Sequence, residues 1–112
     1  MVRRAELVVE SVQEDGLRRV SVAGELDLAT VDKLDAATRA DGDAHLRGLV
    51  LDVGKLDFID SSGIRLFLVL RDRAVAQGWA FSIVNLTDRV RSVLKLTGLE
   101  AELPVDLGPG PS

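Results

Sequence analysis

Two hydrophobic periods alternate along this chain of 112 residues, and that alternation restricts the possible folds more than any other feature. Segments that are β-branched or alternate at period two, which is typical of strands, are interleaved with segments whose apolar residues lie three and four apart, which is typical of helices. The predicted order is strand, strand, helix, strand, helix, strand, helix. This order indicates an α/β single domain in which helices pack on a mixed β-sheet of about four to five strands.

The predicted strands differ in their expected burial. Residues 6–12 and 17–23 form a hairpin around Glu14-Asp15-Gly16, and residues 46–53 are apolar enough for a central strand buried on both faces. Residues 54–59 are predicted to be a connecting loop that Phe58 anchors to the core. Two further strands are predicted at 79–84, with Trp79 packed inward, and near 102–105.

Three helices are predicted from apolar spacing and capping residues. The first follows Thr30, with Asp27 or Thr30 as its cap, and ends at Asp41-Gly42-Asp43. The third begins after a Thr87 cap and ends at Gly98. The second begins at Ser61 or Ser62, ends near Ala76 and is followed by Gly78. Its inward stripe is predicted as Ile64, Phe67, Leu68, Arg71 and Val75, widened by Leu66, Val69 and Leu70.

Composition excludes several classes of function. The chain has no cysteine, which excludes disulfides and thiol chemistry, and its formal net charge of −4 makes nucleic acid a poor partner. It has neither a signal-peptide pattern nor an apolar run of membrane-spanning length, so we expect a cytoplasmic protein without membrane insertion. We expect one domain over residues 1–106, a flexible tail over residues 107–112, and a monomer or weak dimer.

The sequence Asp60-Ser61-Ser62-Gly63 opens the most apolar helix of the chain. Asp60 is suited to cap this helix by accepting from the N–H of Ser62 or Gly63, and capping alone would explain the motif. Two adjacent hydroxyls in a first helical turn are also partly exposed, where a phosphate is tolerated and would change what can dock by bulk and charge. Gly63 is expected to let another backbone segment approach closely.

Three other classes of protein fit the residues less well. A serine hydrolase needs a base, and the chain offers only His45, predicted to lie in an exposed loop, without a nucleophile elbow. A phosphoacceptor receiver domain could use Asp52, but that class needs an acidic pair where its first strand leads into a helix, and here the first strand leads into a hairpin turn. Nucleotide-binding glycine motifs and metal-ligand clusters are missing from the sequence, so neither catalysis, a cofactor nor a metal is expected.

The chain resembles the STAS domain family, the anti-sigma factor antagonists. The resemblance rests on residues 49–64, which contain Asp60-Ser61-Ser62-Gly63, on Gly24-Glu25-Leu26-Asp27 and on Leu96-Thr97-Gly98-Leu99. It extends over about residues 5–106. The Asp-Ser-Ser-Gly element is specific in this context, whereas each piece alone would be weak.

The resemblance implies a protein that binds an anti-sigma factor, often a serine kinase, and so releases a sigma factor for transcription. Ser62 is then the phosphorylated serine, with Ser61 as the alternative, and a PP2C-type phosphatase reverses the modification. Partner contacts are expected from Asp27, Asp60, Ser61, Ser62, Gly63 and Arg65, with Asp57 also near Ser62.

Two questions stay open at this point. Many relatives carry a small residue at the position of Arg65, which could pair with the phosphate or contact the partner. Some STAS domains are never phosphorylated, so a scaffold subunit of a lipid-transport or stress-signalling complex is the alternative function.

Overall fold

The computed structural model describes residues 6–39 and 46–106, and these residues form an α/β arrangement in the predicted order. In chain order the elements are β1 (Leu7–Glu14), β2 (Leu17–Leu26), α1 (Val31–Arg39), β3 (Gly48–Ile59), α2 (Ser61–Gln77), β4 (Ala80–Val84), α3 (Asp88–Thr97), a 3₁₀ turn (Glu100–Glu102) and β5 (Val105–Asp106). The mixed sheet with helices packed on it is confirmed. The predicted tail, the Asp41-Gly42-Asp43 helix end and His45 lie outside the described residues.

The sheet has the strand order β1-β2-β3-β4-β5, with β1 and β2 antiparallel and every later neighbouring pair parallel. The predicted hairpin is confirmed: Asp15 and Gly16 form its two-residue turn, and both have positive φ, at 52° and 80°. Each parallel pair is connected by one helix. Right-handed crossovers in a sheet that grows in one direction place all three helices on the same face.

Cross-strand register separates the two faces of the sheet. Val20 pairs with Leu51, which pairs with Ile83, and all three are fully buried. The adjacent row, Ser21, Asp52 and Val84, is only half-buried. The helices therefore cover one face, and the other face is open to solvent.

The prediction of a loop over residues 54–59 is wrong, because β3 continues to Ile59. These residues pair with the end of β2, and two register shifts let the longer strand follow its partner. The shifts interrupt the alternation of side chains, so that Leu56 and Ile59 are buried whereas Phe58 is 43% exposed. The expected anchoring role of Phe58 is therefore also wrong.

The inward face of α2 is rotated from the predicted stripe. Ile64 and Phe67 are buried as predicted, but Arg71 is only half-buried and Val75 is 79% exposed. Leu66 and Leu70 are buried as predicted, together with Gly63 and Ala74, whereas Val69 is 43% exposed. Gly63 packs directly against side chains at the ends of β2 and β3, a contact that apolar spacing does not report.

The predicted helix ends are largely confirmed. The Thr87 hydroxyl accepts from the N–H of Val90, and Gly78 and Gly98 end α2 and α3 in the left-handed region, with φ of 77° and 73°. Trp79 is buried, as predicted. The last predicted strand is shorter and later than expected, because a 3₁₀ turn occupies Glu100–Glu102 before β5.

Candidate functional site

The first turn of α2 is organised by Asp60. Its backbone is extended, with φ −118° and ψ −172°, and its carboxylate accepts from the N–H of Ser62 at 2.8 Å and of Gly63 at 3.4 Å. The predicted cap is therefore confirmed. Because these two donors would otherwise lack partners at a helix start, Asp60 holds Ser62 in a defined orientation.

Gly63 sets how closely this turn approaches the sheet. A Cβ added to Gly63 would lie 2.8 Å from Cγ1 of Ile59 and 2.8 Å from Cγ of Leu26. Real Cβ atoms essentially never show contacts this short, so any larger residue requires the core to move. Side chains, and not the expected backbone segment, fill the space that the glycine leaves.

The segment after β2 lies against this helix start. The N–H of Asp60 donates to the carbonyl of Leu26 at 3.1 Å, which joins the ends of β2 and β3. The Asp27 carboxylate accepts from the N–H groups of Ala29 and Thr30, at 2.9 and 3.2 Å. Asp27 thus stabilises the turn that leads into α1.

Thr30 precedes α1, but its hydroxyl donates to the carbonyl of Glu25 at 2.7 Å. The same oxygen accepts from the N–H of Asp27 at 3.0 Å. Of the two residues predicted to cap this helix, Asp27 therefore accepts from N–H groups in the turn before α1. Thr30 connects that turn to β2 through its hydrogen bond with Glu25.

A groove of about 270 Å³ lies between α1 and α2 and contains Ser62 in its lining. Its apolar lining includes Leu28, 77% exposed, and Val69, 43% exposed. Its charged lining consists of Asp32, Asp35 and Arg39 from α1 and Arg65 from α2. The name groove refers throughout to the surface lined by Leu28, Val31, Asp32, Asp35, Arg39, Ser62, Arg65, Leu66 and Val69.

The structure separates the predicted site residues into three groups. Ser62 and Arg65 line the groove, whereas Ser61 is exposed beside it. Asp60 and Gly63 set the geometry of the α2 start, and Asp27 stabilises the turn before α1. Asp57 is exposed on β3, and no hydrogen bond or ion pair connects it to another described residue.

The position of α1, which forms one wall of the groove, depends on arginines that sequence reasoning missed. The carbonyl of Thr38 accepts from Arg18 Nη1 at 2.5 Å and from Arg73 Nη2 at 2.9 Å. Arg18 is almost fully buried, and the guanidinium of Arg73 lies 5.2 Å from the ring centroid of Trp79. Cations at a helix C-terminus also complement its dipole. Only alternation in β2, which places Arg18 inward, offered a signal.

A second, larger cavity of about 590 Å³ lies on the open sheet face near Asp52. Asp52 accepts from Arg19 Nη2 at 2.8 Å and from the N–H of Gly54 at 3.0 Å. Partial burial raises the pKa of Asp52, but hydrogen bonds from Gly54, Asn85 and Arg19 outweigh burial and hold it below its ordinary value of 3.8. Asp52 therefore stabilises the sheet. The fold also differs from a receiver domain, because β1 continues into a hairpin with β2 and not into a helix.

Within the described ranges, no group of three or more His, Asp or Glu side chains could hold a metal ion. In the same part of the chain, no helix is both long and apolar enough to cross a membrane.

Comparison with known proteins identifies the family. The STAS domain family matches residues 8–108, nearly the whole chain, and the chain belongs to this family. A Bordetella bronchiseptica protein named as a candidate anti-sigma factor antagonist, BtrV, is 30% identical over 91 residues, covering 81% of this chain and 78% of that protein. The anti-sigma-B factor antagonist of Staphylococcus aureus is 26% identical over 102 residues, or 91% of this chain and 94% of that protein.

The fold agrees with that of a solved relative. The crystal structure of an anti-sigma factor antagonist from Mycobacterium paratuberculosis matches with a TM-score of 0.77 at 26% identity. The match covers 93% of this chain and 88% of that chain. The resemblance inferred from three short motifs is thus confirmed along almost the full length.

Proposed function

We propose that this protein is an anti-sigma factor antagonist: it binds a cytoplasmic anti-sigma factor through the groove and so releases a sigma factor for transcription. The observation that carries this proposal is the position of Ser62 in a groove whose exposed apolar lining includes Leu28 and Val69. The similarity to named antagonists over most of their length supports the same function. In this proposal the protein catalyses no reaction and acts by binding the anti-sigma factor in place of the sigma factor.

Phosphorylation of Ser62 by the anti-sigma factor, acting as a serine kinase, is the proposed off-switch. The Ser62 hydroxyl oxygen bonds to the γ-phosphorus of ATP, the bond to the β,γ-bridging oxygen breaks, and ADP leaves. The hydroxyl proton passes to a base of the kinase. A PP2C-type phosphatase reverses the change by hydrolysis, in which water replaces the serine oxygen and phosphate departs.

The geometry favours Ser62 over Ser61 as the acceptor, because only Ser62 lines the groove. A phosphate adds about −1.5 to −2 of charge where the partner must sit. Asp60 accepts from the N–H of Ser62, and the groove is lined by two acidic residues of α1, Asp32 and Asp35, together with Arg39 and Arg65, so the added charge changes a groove in which both signs are present. A loss of a few kcal/mol of binding free energy is sufficient to release the partner, since 1.4 kcal/mol changes a dissociation constant about tenfold.

The experiment uses matched variants as baits in a host lysate, with captured proteins identified by mass spectrometry and then titrated in purified form. Val69→Asp places a charge in the groove, and its control is Val75→Asp, an exposed change on the same helix outside the groove. We expect Val69→Asp to weaken binding of a kinase-like anti-sigma factor at least tenfold and Val75→Asp to leave it unchanged. Equal binding by both variants would reject the groove as the binding site.

The switch is tested with a second pair. Ser62→Asp is compared with Ser92→Asp, which makes the same change at an exposed position of α3. We expect only Ser62→Asp to release the anti-sigma factor. Incubation of the parent protein with the captured anti-sigma factor and ATP should place phosphate on Ser62. This transfer should be abolished in Ser62→Ala and retained in Ser61→Ala. Transfer retained in Ser62→Ala and lost in Ser61→Ala would reassign the acceptor, and capture of a transport or stress complex by every bait would favour the scaffold function.

A further inference from the structure

Arg65 occupies a position from which it can reach a modified Ser62. The two residues lie three apart on α2, and both line the groove. Residues at this spacing are neighbours on a helix surface, with Cβ atoms about 5–6 Å apart. Helical side chains lean toward the N-terminus, so the side chain of Arg65 can extend over the turn that contains Ser62.

Two backbone donors in the first turn of α2 are already engaged. The N–H groups of Ser62 and Gly63 donate to the Asp60 carboxylate, which would itself repel a phosphate. A cationic side chain is therefore a better partner for a phosphate on Ser62 than these two N–H groups.

Of the two arginines in the groove, only Arg65 is available. Nε of Arg39 donates to Oδ1 of Asp35 at 3.2 Å, an ion pair within one helix. Arg65 is exposed and makes no hydrogen bond or ion pair with any residue that the structure describes. Its planar guanidinium can donate two parallel hydrogen bonds to phosphate oxygens, which is the strongest arrangement for such a pair.

We infer that Arg65 binds the phosphate carried by Ser62 and holds it along the groove. This inference rests on the proposed phosphorylation of Ser62. It gives the off-state a defined structure, since the phosphate occupies the groove between α1 and α2 and Arg65 is withdrawn from contact with the partner. It also means that one positive charge offsets part of the added negative charge, so the switch acts by filling the groove as well as by charge.

The test places phosphoserine at position 62 during synthesis of the full chain, so that no kinase is required. The ³¹P resonance is titrated between pH 4 and 8 in the parent and in Arg65→Gln, Arg65→Lys and Arg71→Gln. Arg71→Gln is the matched control: it removes one charge from the same helix, and nine residues at about 1.5 Å each separate Arg71 from Ser62, beyond a Debye length at physiological salt.

We expect the second phosphate pKa, ordinarily about 6, to be about 0.2–0.4 of a pH unit lower in the parent than in Arg65→Gln. This corresponds to a roughly 1.5- to 2.5-fold change in the proton dissociation constant. Arg65→Lys should retain part of the difference, Arg71→Gln should match the parent, and 1 M salt should remove most of the difference. Superposable titrations of the parent and Arg65→Gln at low salt would overturn the inference.

The outcome is separable from that of the proposed function. If the titrations differ as expected but the protein from its host carries no phosphate on Ser62, Arg65 still binds a phosphate there and the proposed modification is wrong. If host protein carries phosphate on Ser62 and the titrations superpose, the modification stands and Arg65 is not its partner.

Discussion

Replacement of Gly63 by alanine tests the packing on which the whole site depends. In an exposed helix interior this change would stabilise the protein by about 1 kcal/mol, because glycine is a poor helix former. At this position the added Cβ would lie 2.8–2.9 Å from three side-chain atoms of Ile59 and Leu26, both buried in the core. Neither Cγ atom is the flexible end of a side chain, so the contact cannot be relieved cheaply.

Overpacking of this kind typically costs about 1–3 kcal/mol. Because these contacts cannot be relieved cheaply, we take the upper part of this range, about 2–3 kcal/mol. After the gain of about 1 kcal/mol in helix propensity, we expect Gly63→Ala to lower the free energy of unfolding by about 1–2 kcal/mol. For a chain of this size that corresponds to a fall in Tm of roughly 4–8 °C. Thermal and urea unfolding measure the change, with Ser61→Ala, an exposed change two residues earlier, expected to alter stability by less than about 0.5 kcal/mol.

A double-mutant cycle adds a test of the cause. In a Leu26→Ala background, two of the three close contacts are removed, so Gly63→Ala should cost clearly less there than in the parent. A Gly63→Ala protein that is as stable as the parent, or more stable, would refute the argument that close packing against Leu26 and Ile59 requires glycine.

Three further predictions follow from the described contacts. Asp60→Ala should destabilise the protein by about 1 kcal/mol through loss of the cap, whereas Asp60→Asn should lose less, and equal unfolding curves for both would contradict the capping geometry. The pKa of Asp52 is lowered in the folded state, so its contribution to stability is present above pH 3.8 and is lost as the pH falls through the folded pKa. In urea unfolding, the difference in stability between the parent and Asp52→Asn should therefore shrink below about pH 3.8. Thr87→Ala should cost about 1 kcal/mol and Thr87→Ser much less, and a destabilisation by Thr87→Ser that equals the alanine effect would show that the hydroxyl acceptor is not responsible.

Capping and turn residues were the most predictable part of the fold, because their effects are local. Asp60 and Thr87 accept from N–H groups two or three residues away, and the Asp15-Gly16 turn needs only two residues with positive φ. The errors lie where distant segments decide the outcome. Residues 54–59 have the pattern of a loop in isolation, yet they form a strand because β2 is long enough to pair with them.

The order of elements, the class of fold, the family and the serine at the start of α2 were all predictable from the chain's sequence, since hydrophobic period, capping chemistry and short motifs are properties of neighbouring residues. The buried face of α2, and the groove that Ser62 and Arg65 share with α1, became evident in the folded protein. The fold also placed Arg18 and Arg73 on the carbonyl of Thr38, 20 and 35 residues away. These features depend on contacts between residues far apart in the chain, and no local pattern records where such segments meet.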